Sequence, residues 1–577
     1  MKRIEFPAEL AIFGDRISDH WIEIISNGLS KIQEEDSIPK LDDWYFVIRN
    51  FLENEEKSPS ILWALCSKIA WIQADIKFFV NKSDFLVKEA ENQSDSLLLS
   101  YVGAGITELI NSDNGITLIG KGFSQLEASK DWPALFDVAT PYILLLSNAN
   151  QITTLEKVYF SIKRIFEDVL KSDSNYQHLF LPVQTFAAKK SIEKTQINLL
   201  DALEVVKQSQ HHLNTGLMNT LISHNEEGDV FKRHLEAAIQ EYQLINANNR
   251  LIIAYTNFAS YYASKAKHDE ASEYLSKATS LTALLSEEEN DSGISVYPLI
   301  QKAWLLVEQG QLQKAKNLFN LVLEKTKAFH SSLYQIKVEF GFAYVFFLES
   351  QDDLALTHAK TALSIFEQTE SKDKHDFQLK YASLLIDLNK LDEIPSIFEA
   401  INVNDLKSCS KAYYYYIQGK YEFHIHNIGI AKEFLEKAME QTENCPDLRS
   451  NLLYTQAEIY LNEYRLSEDP KVLKEAQNKI TESLEKLIGI PERTKGQCLL
   501  AIMLSAQGRI EEAEELLETL TTDSPKTIPR FRILAEKLLD NIHKSRVGAA
   551  PLSPITNIRD ALRYLRDAKT LIDSQSR

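Results

Sequence analysis

Residues 115–122 read GITLIGKG, and a glycine, a second glycine after four intervening residues and then a lysine are the parts of a phosphate-binding loop. Such a loop also needs a strand before it, a helix opening at its end and a hydroxyl to hold magnesium. Here Gly122 stands where that hydroxyl belongs and the surroundings read as helix. The stretch therefore does not predict a nucleotide site, and Lys121 is expected on the solvated surface. GAG at 103–105 lacks the third glycine and the preceding strand of a dinucleotide fingerprint. The thirteen histidines are scattered. His211 and His212 are adjacent and His424 and His426 are two apart, so neither pair shares a helix face that could hold a metal or relay a proton. HExxH and GxSxG do not occur, and the SxxK at Ser191–Lys194 is a common chance match. The expectation is a chain with no catalytic residues, no metal and no cofactor.

Composition narrows the class. With 63 basic against 82 acidic residues the net charge is −19, which disfavours direct binding of nucleic acid or of an anionic membrane surface. The longest uncharged apolar run, YILLL at 142–146, is too short to cross a bilayer. Cys66, Cys409, Cys445 and Cys498 lie far apart without a CxxC pair. That spacing argues against a disulfide framework or a zinc site and fits a reducing, cytoplasmic or nuclear, compartment.

The elements are helices. Only 18 glycines and 15 prolines serve 577 residues, too few for the hairpins of a β protein, and apolar residues recur at steps of three and four. Small residues also recur in windows. Ala259, Ala271 and Ala278 set a pattern with Tyr262 and Leu275, and Ala303, Gly310, Ala315 and Phe319 repeat it. Ala343, Ala355, Ala359 and Ala362 repeat it again, followed by Gly419, Ala431, Leu435 and Ala438. Then come Ala457, Tyr460 and Ala476, and finally Ala501, Gly508, Ala513 and Leu517; a weaker copy has Ala382 with Ile394. Two antiparallel helices approach closely only where side chains are small, so the pattern is a packing rule.

These windows resemble the tetratricopeptide repeat over roughly residues 250–525. The second small residue of each window falls at 271, 315, 355, 394, 431, 476 and 513, a wider spacing than the standard unit of about 34 residues. The resemblance implies an all-α protein, a right-handed α-solenoid of antiparallel helix pairs of a divergent, long-repeat type. The expected organisation is an N-terminal helical region at 1–115, degenerate helix pairs at 116–245, the solenoid at 246–543, a linker at 544–556 and a C-terminal amphipathic helix at 557–577.

In a stack of helix pairs the first helices line the concave face, so residues one after and four or five after the first small residue point inward. That register selects Tyr297 and Trp304, then Phe340, Tyr344 and Phe347, then Tyr413, Tyr416, Lys420 and Phe423 as a groove for an extended peptide or amphipathic helix. The other reading of this stripe is packing between adjacent helices. Asn257 joins the groove through the resemblance, because tetratricopeptide proteins often hold a ligand backbone with an inner-helix Asn. The functional expectation is a non-catalytic interaction scaffold or adaptor within a larger assembly. The alternative is a peptide- or small-molecule-responsive regulator with the N-terminal region as effector. The final helix, with Ile558, Leu562, Leu565 and Ile572 on one face, is expected either to cap the last pair or to lie in the groove.

Overall fold

The computed structural model describes residues 6–546, apart from 33–38, 55–57, 111–113, 149–150, 171–175, 190–191, 193–197, 224–227, 266, 286–292, 329–331, 369–373, 404–405, 407, 443–445, 487–488 and 522–527. The first three residues of the linker expected at 544–556 instead end the last described helix, Pro529–Arg546; the rest of it and the C-terminal helix expected at 557–577 lie outside the described residues.

Every element among the described residues is helical. After a short 3₁₀ turn, Ala8–Leu10, come α1 (Ala11–Gly14), α2 (Asp19–Ser30), α3 (Leu41–Asn54), α4 (Ser60–Gln73), α5 (Ile76–Gln93) and α6 (Ser96–Gly105). A π-helical turn, Ile106–Ile110, leads to α7 (Asn114–Ser129), α8 (Trp132–Asn148) and α9 (Ile152–Ile165). Next are α10 (Gln177–Lys189), α11 (Leu199–Gln208), α12 (His212–Ser223), α13 (Gly228–Leu244), α14 (Asn248–Ser264) and α15 (His268–Leu285). The later part holds α16 (Gly293–Glu308), α17 (Leu312–Ala328), α18 (Ser332–Leu348), α19 (Asp352–Glu367), α20 (Lys374–Asp387) and the short α21 (Ile394–Glu399). It continues with α22 (Ser408–His424), α23 (Ile428–Met439), α24 (Pro446–Ser467), α25 (Pro470–Lys486), α26 (Ile490–Ala506), α27 (Ile510–Thr521) and α28 (Pro529–Arg546).

The chain divides into two compact units. The first comprises Met1–Tyr261, Asp269–Gln301 and Lys325–Ser331; the second comprises Tyr262–His268, Lys302–Glu324 and Ser332–Arg577. The division falls inside the array expected at 246–543.

Within each unit neighbouring helices pair along the chain: α6 with α7 and α12 with α13 in the first, α18 with α19, α22 with α23 and α24 with α25 in the second. The repeated small residues are what these pairs close upon. Ala259, Ala271 and Ala278 in the first unit, and Ala303, Ala315, Ala343, Ala355, Ala382, Ala431, Ala457, Ala476, Ala501 and Ala513 in the second, are all buried at the core. A Cβ placed on Gly419 of α22 would sit 2.8 Å from the Leu435 side chain and 3.1 Å from the Ala431 carbonyl of α23. The repeated windows of the sequence are thus the contact lines of paired helices.

Turn geometry repeats with the pairs. In the second unit the residues that end α16, α18, α20, α22 and α26 are Gly310, Ser350, Asn389, His426 and Gly508, all left-handed with φ between 56° and 78°. Each time the next N–H reaches back over the turn, as Gln351 does to Phe346 at 2.9 Å and Arg509 to Leu504 at 3.0 Å. This closure satisfies carbonyls that the helix end leaves open and reverses the chain. Only two of the five residues are glycine, so the turn is conspicuous in the sequence at two places.

The cysteines correct an expectation. Cys409 at the start of α22 is disulfide-bonded, whereas Cys66 and Cys498 are free and buried. Wide spacing does not exclude a bridge when hairpins bring distant positions together. Burial pushes the Cys498 thiol up to about 12, so it stays protonated and unreactive in the folded chain. Thiol titration of denatured, unreduced protein is expected to count two of the four cysteines, and four after reduction; four without reductant would show that no bridge forms.

Candidate functional site

Of the nine residues that the register selects and the Asn257 that the resemblance adds, Asn257 and Tyr297 belong to the first unit and the other eight to the second. In the first unit the Tyr297 hydroxyl donates to Asn257 Oδ1 at 3.1 Å. The amide expected to hold a ligand therefore already makes a bond within the chain.

In the second unit Trp304, Phe340, Tyr344 and Tyr413 are half-buried, while Phe347, Tyr416, Lys420 and Phe423 are buried. The structure brings several of them together. Trp304 and Tyr344 have ring centroids 5.9 Å apart, Tyr344 and Phe347 6.2 Å, and Tyr413 and Tyr416 5.9 Å. Phe340 instead turns its ring edge-on to Phe377 of α20 at 5.7 Å, so it serves the contact between successive first helices.

The inner faces of the first helices also carry charge. Lys420 Nζ of α22 pairs with Asp387 Oδ2 of α20 at 2.8 Å, and Lys495 Nζ of α26 stands 3.9 Å from the other oxygen of the same carboxylate. Lys495 lies 4.5 Å over the Tyr454 ring of α24, whose hydroxyl donates to Glu458 at 3.0 Å. The Tyr344 hydroxyl of α18 donates to Glu492 Oε1 of α26 at 2.7 Å. Arg530 of α28 donates to the Phe347 carbonyl at 2.8 Å and to Asp352 at 2.7 Å, with its guanidinium 4.0 Å over the Phe347 ring. Side chains from α18, α20, α22, α24, α26 and α28 thus form one connected polar and aromatic surface inside the second unit.

Its protonation states are fixed. Burial alone would raise the Asp387 carboxyl, but the ammonium groups of Lys420 and Lys495 override it and hold it down at about 2. Burial raises Tyr416 to about 12. Burial, then the Glu492 charge, lifts Tyr344 well above its usual value, and burial with Glu458 does the same to Tyr454. Asp387 is therefore a permanent acceptor and the tyrosines permanent donors. A general acid or base needs a pKa near the working pH, and these shifts run away from neutrality. The surface is suited to hold a ligand by hydrogen bonds, charge and ring contacts. Among the described residues no group of three His, Cys, Asp or Glu side chains could hold a metal ion, and no helix is long and apolar enough to cross a membrane.

Sequence reasoning missed Asp387, Tyr454, Glu492, Lys495 and Arg530. Asp387 was within reach, because Ala382 followed by Ser383 and Asp387 obeys the register that picked Ala343, Tyr344 and Phe347. Glu492, Lys495 and Arg530 meet their partners only because helices far apart in the chain face one another.

No protein-family model and no curated protein sequence matches the chain. Solved structures are similar to it. One is a Rap protein complexed with Competence and Sporulation Factor, 12% identical, covering 66% of this chain and 99% of that chain with a TM-score of 0.41. Another is Cut9–Hcn1, an APC/C hetero-tetramer, 11% identical, covering 93% and 99% with a TM-score of 0.40. A third is the human IFIT1 dimer with m7Gppp-AAAA, 16% identical, covering 69% and 82% with a TM-score of 0.39. At these scores and identities, no ligand or partner passes from them to this chain.

Proposed function

We propose that the protein is a non-catalytic interaction scaffold or adaptor that holds a protein partner against the inner helices of its second unit. The partner is an extended peptide or an amphipathic helix. The observation that supports this reading is the polar and aromatic surface to which six successive first helices contribute, with the Tyr344 phenol held protonated, the Asp387 carboxyl held ionised, and Lys420 and Lys495 facing that carboxylate. Half-buried Trp304 and Tyr344 supply ring area that holds apolar side chains at little entropic cost. Beside them, Lys495 and the Asp387 carboxylate offer a donor and an acceptor to a ligand backbone or terminus.

The test is affinity capture by the full chain carrying a photo-crosslinker at Tyr413, with and without Trp304→Ala and Tyr344→Ala. The expected result is a protein crosslinked at Tyr413 whose capture falls at least about tenfold in the double variant, a loss of about 1.4 kcal/mol. Unchanged capture by a variant that keeps its helical circular dichroism would discard this surface as the site.

A further inference from the structure

The N-terminal segment Phe6–Ile17 runs inside the first unit. Leu10 and Phe13 are wholly buried, and Glu9 and Ile17 nearly so. The segment touches elements spread over more than two hundred residues of chain. The Phe6 ring lies 4.7 Å from that of Trp44 on α3, and Phe13 lies 6.2 Å from Tyr101 on α6. Lys68 Nζ of α4 sits 5.6 Å over the Phe13 ring. Arg16 pairs with Asp131 before α8, and Glu9 Oε1 accepts the Leu213 N–H of α12 at 3.3 Å.

Three features distinguish this segment from ordinary core. The backbone hydrogen bonds from Leu10 to Pro7 and from Arg16 and Ile17 to Phe13 stay within the segment. Its helical part is only the turn Ala8–Leu10 and the four residues of α1, too short to be stable alone. It is therefore held by its side chains. Its seat is also imperfect, because the second carboxylate oxygen of Glu9 is buried without a hydrogen-bond partner, and such an oxygen costs free energy wherever water is excluded. Finally, the wall beneath it is polar. Lys68 and Asp137 form an ion pair at 2.6 Å, Tyr101 donates to Asp137, and His211 Nδ1 accepts the Asn214 N–H at 3.2 Å. Burial, then the Lys68 charge, lowers His211 to about 3, which keeps that nitrogen free to accept. A wall of satisfied charged and polar groups tolerates water when uncovered, as an apolar core does not.

We infer that the inner face of the first unit is a binding site for a short amphipathic segment, and that Phe6–Ile17 is its resident ligand, exchangeable for a segment of the same chemistry. That chemistry is an acidic residue followed by large apolar residues one, four and eight positions later, the pattern of Glu9, Leu10, Phe13 and Ile17. The acidic group caps α12, Phe13 packs against Tyr101 and Lys68, and Phe6, ahead of the pattern, packs against Trp44. This site is separate from the surface of the second unit and does not depend on it.

The probe is a fluorescent peptide with the sequence of residues 6–18, added to full-length protein. The wild-type chain fills its own site, whereas the full-length Leu10→Ala, Phe13→Ala variant holds its segment weakly. The expected result is that the peptide binds the variant at least about tenfold more tightly than the wild type, and that a peptide carrying Leu10→Asp does not bind. Equal binding to both proteins, or none to a variant with full helical circular dichroism, overturns the inference. Should the variant unfold, hydrogen exchange of the wild type decides. Amides of Leu10–Ile17 exchanging about 100-fold faster than those of α6 show local release of the segment, and protection equal to that of α6 shows permanent core.

Discussion

Asp137→Ala is expected to lower the stability of the first unit by about 3–5 kcal/mol, the range for breaking a buried ion pair from one side. Asp137 Oδ1 lies 2.6 Å from Lys68 Nζ, and the two side chains are 8% and 3% exposed. The carboxylate also accepts from the Tyr101 hydroxyl. The ammonium group lies over two rings, 5.6 Å from Phe13 and 5.4 Å from Tyr101, which offer it only the weak attraction of their faces. Without Asp137 that charge stays in a dry site with no counter-ion. Lys68→Met with Asp137→Leu removes both charges and keeps volume, so the double variant is expected to recover most of the loss. Urea unfolding followed by tryptophan fluorescence measures this directly, because Trp44, Trp63 and Trp71 all lie in the first unit. A single variant that loses less than about 1 kcal/mol, the worth of an exposed pair, would mean that water reaches the site.

That pair illustrates which parts of the molecule can be read from sequence. The alanine windows were legible because a helix crossing permits only small residues there, and Ala303, Ala315, Ala343 and Ala355 are indeed fully buried. Which residues share a helix face was legible for the same reason, since a face follows once one contact residue is known. What lies across an inner face was not. Lys68 and Asp137 are 69 residues apart, and Arg250 and Glu108, also buried and paired, are 142 apart. Neither pair falls in a repeat window that would relate the partners. Glu108 moreover sits in the π-helical turn after α6, where the usual helical register slips. There it pairs with Arg250 at 2.8 Å and accepts from the Trp71 indole at 2.7 Å. The bridge at Cys409 was hidden because hairpin topology, and not spacing, decides which cysteines meet. The N-terminal segment gave no signal either: Glu9 interrupts an apolar run, and nothing in the sequence reveals that its carboxylate caps a helix 204 residues away.

Gly103→Val is expected to cost about 3 kcal/mol or more, the upper end for overpacking a core, and the reason lies in the stretch GITLIGKG. Helices α6 and α7 cross with their backbones almost touching. A Cβ on Gly103 would stand 2.6 Å from the Ile119 nitrogen and 2.7 Å from the Gly115 carbonyl oxygen. A Cβ on Gly115 would stand 2.5 Å from the Gly103 oxygen and 2.6 Å from the Thr107 nitrogen, and one on Gly122 2.7 Å from the Ser96 oxygen. Backbone cannot rotate out of the way, so any of these changes must push the helices apart. Gly120 faces elsewhere: its Cβ would meet only the Tyr142 hydroxyl, at 2.7 Å, the movable end of a side chain. Lys121 pairs with Glu91 at 2.8 Å, both about half-exposed, which is a solvated surface pair. Gly429 of α23 has nothing within 4 Å of such a Cβ, so Gly429→Ala should stabilise by about 0.5–1 kcal/mol through helix propensity alone. The expected order of stability is therefore Gly429→Ala above wild type, Gly120→Ala near it, Gly115→Ala below it and Gly103→Val lowest, read by thermal or urea unfolding. A phosphate loop would reverse the emphasis, because its second glycine would be intolerant and its first two turns of helix indifferent. If Gly120→Ala proved as damaging as Gly103→Val, the close crossing of α6 and α7 would not be what these glycines are for.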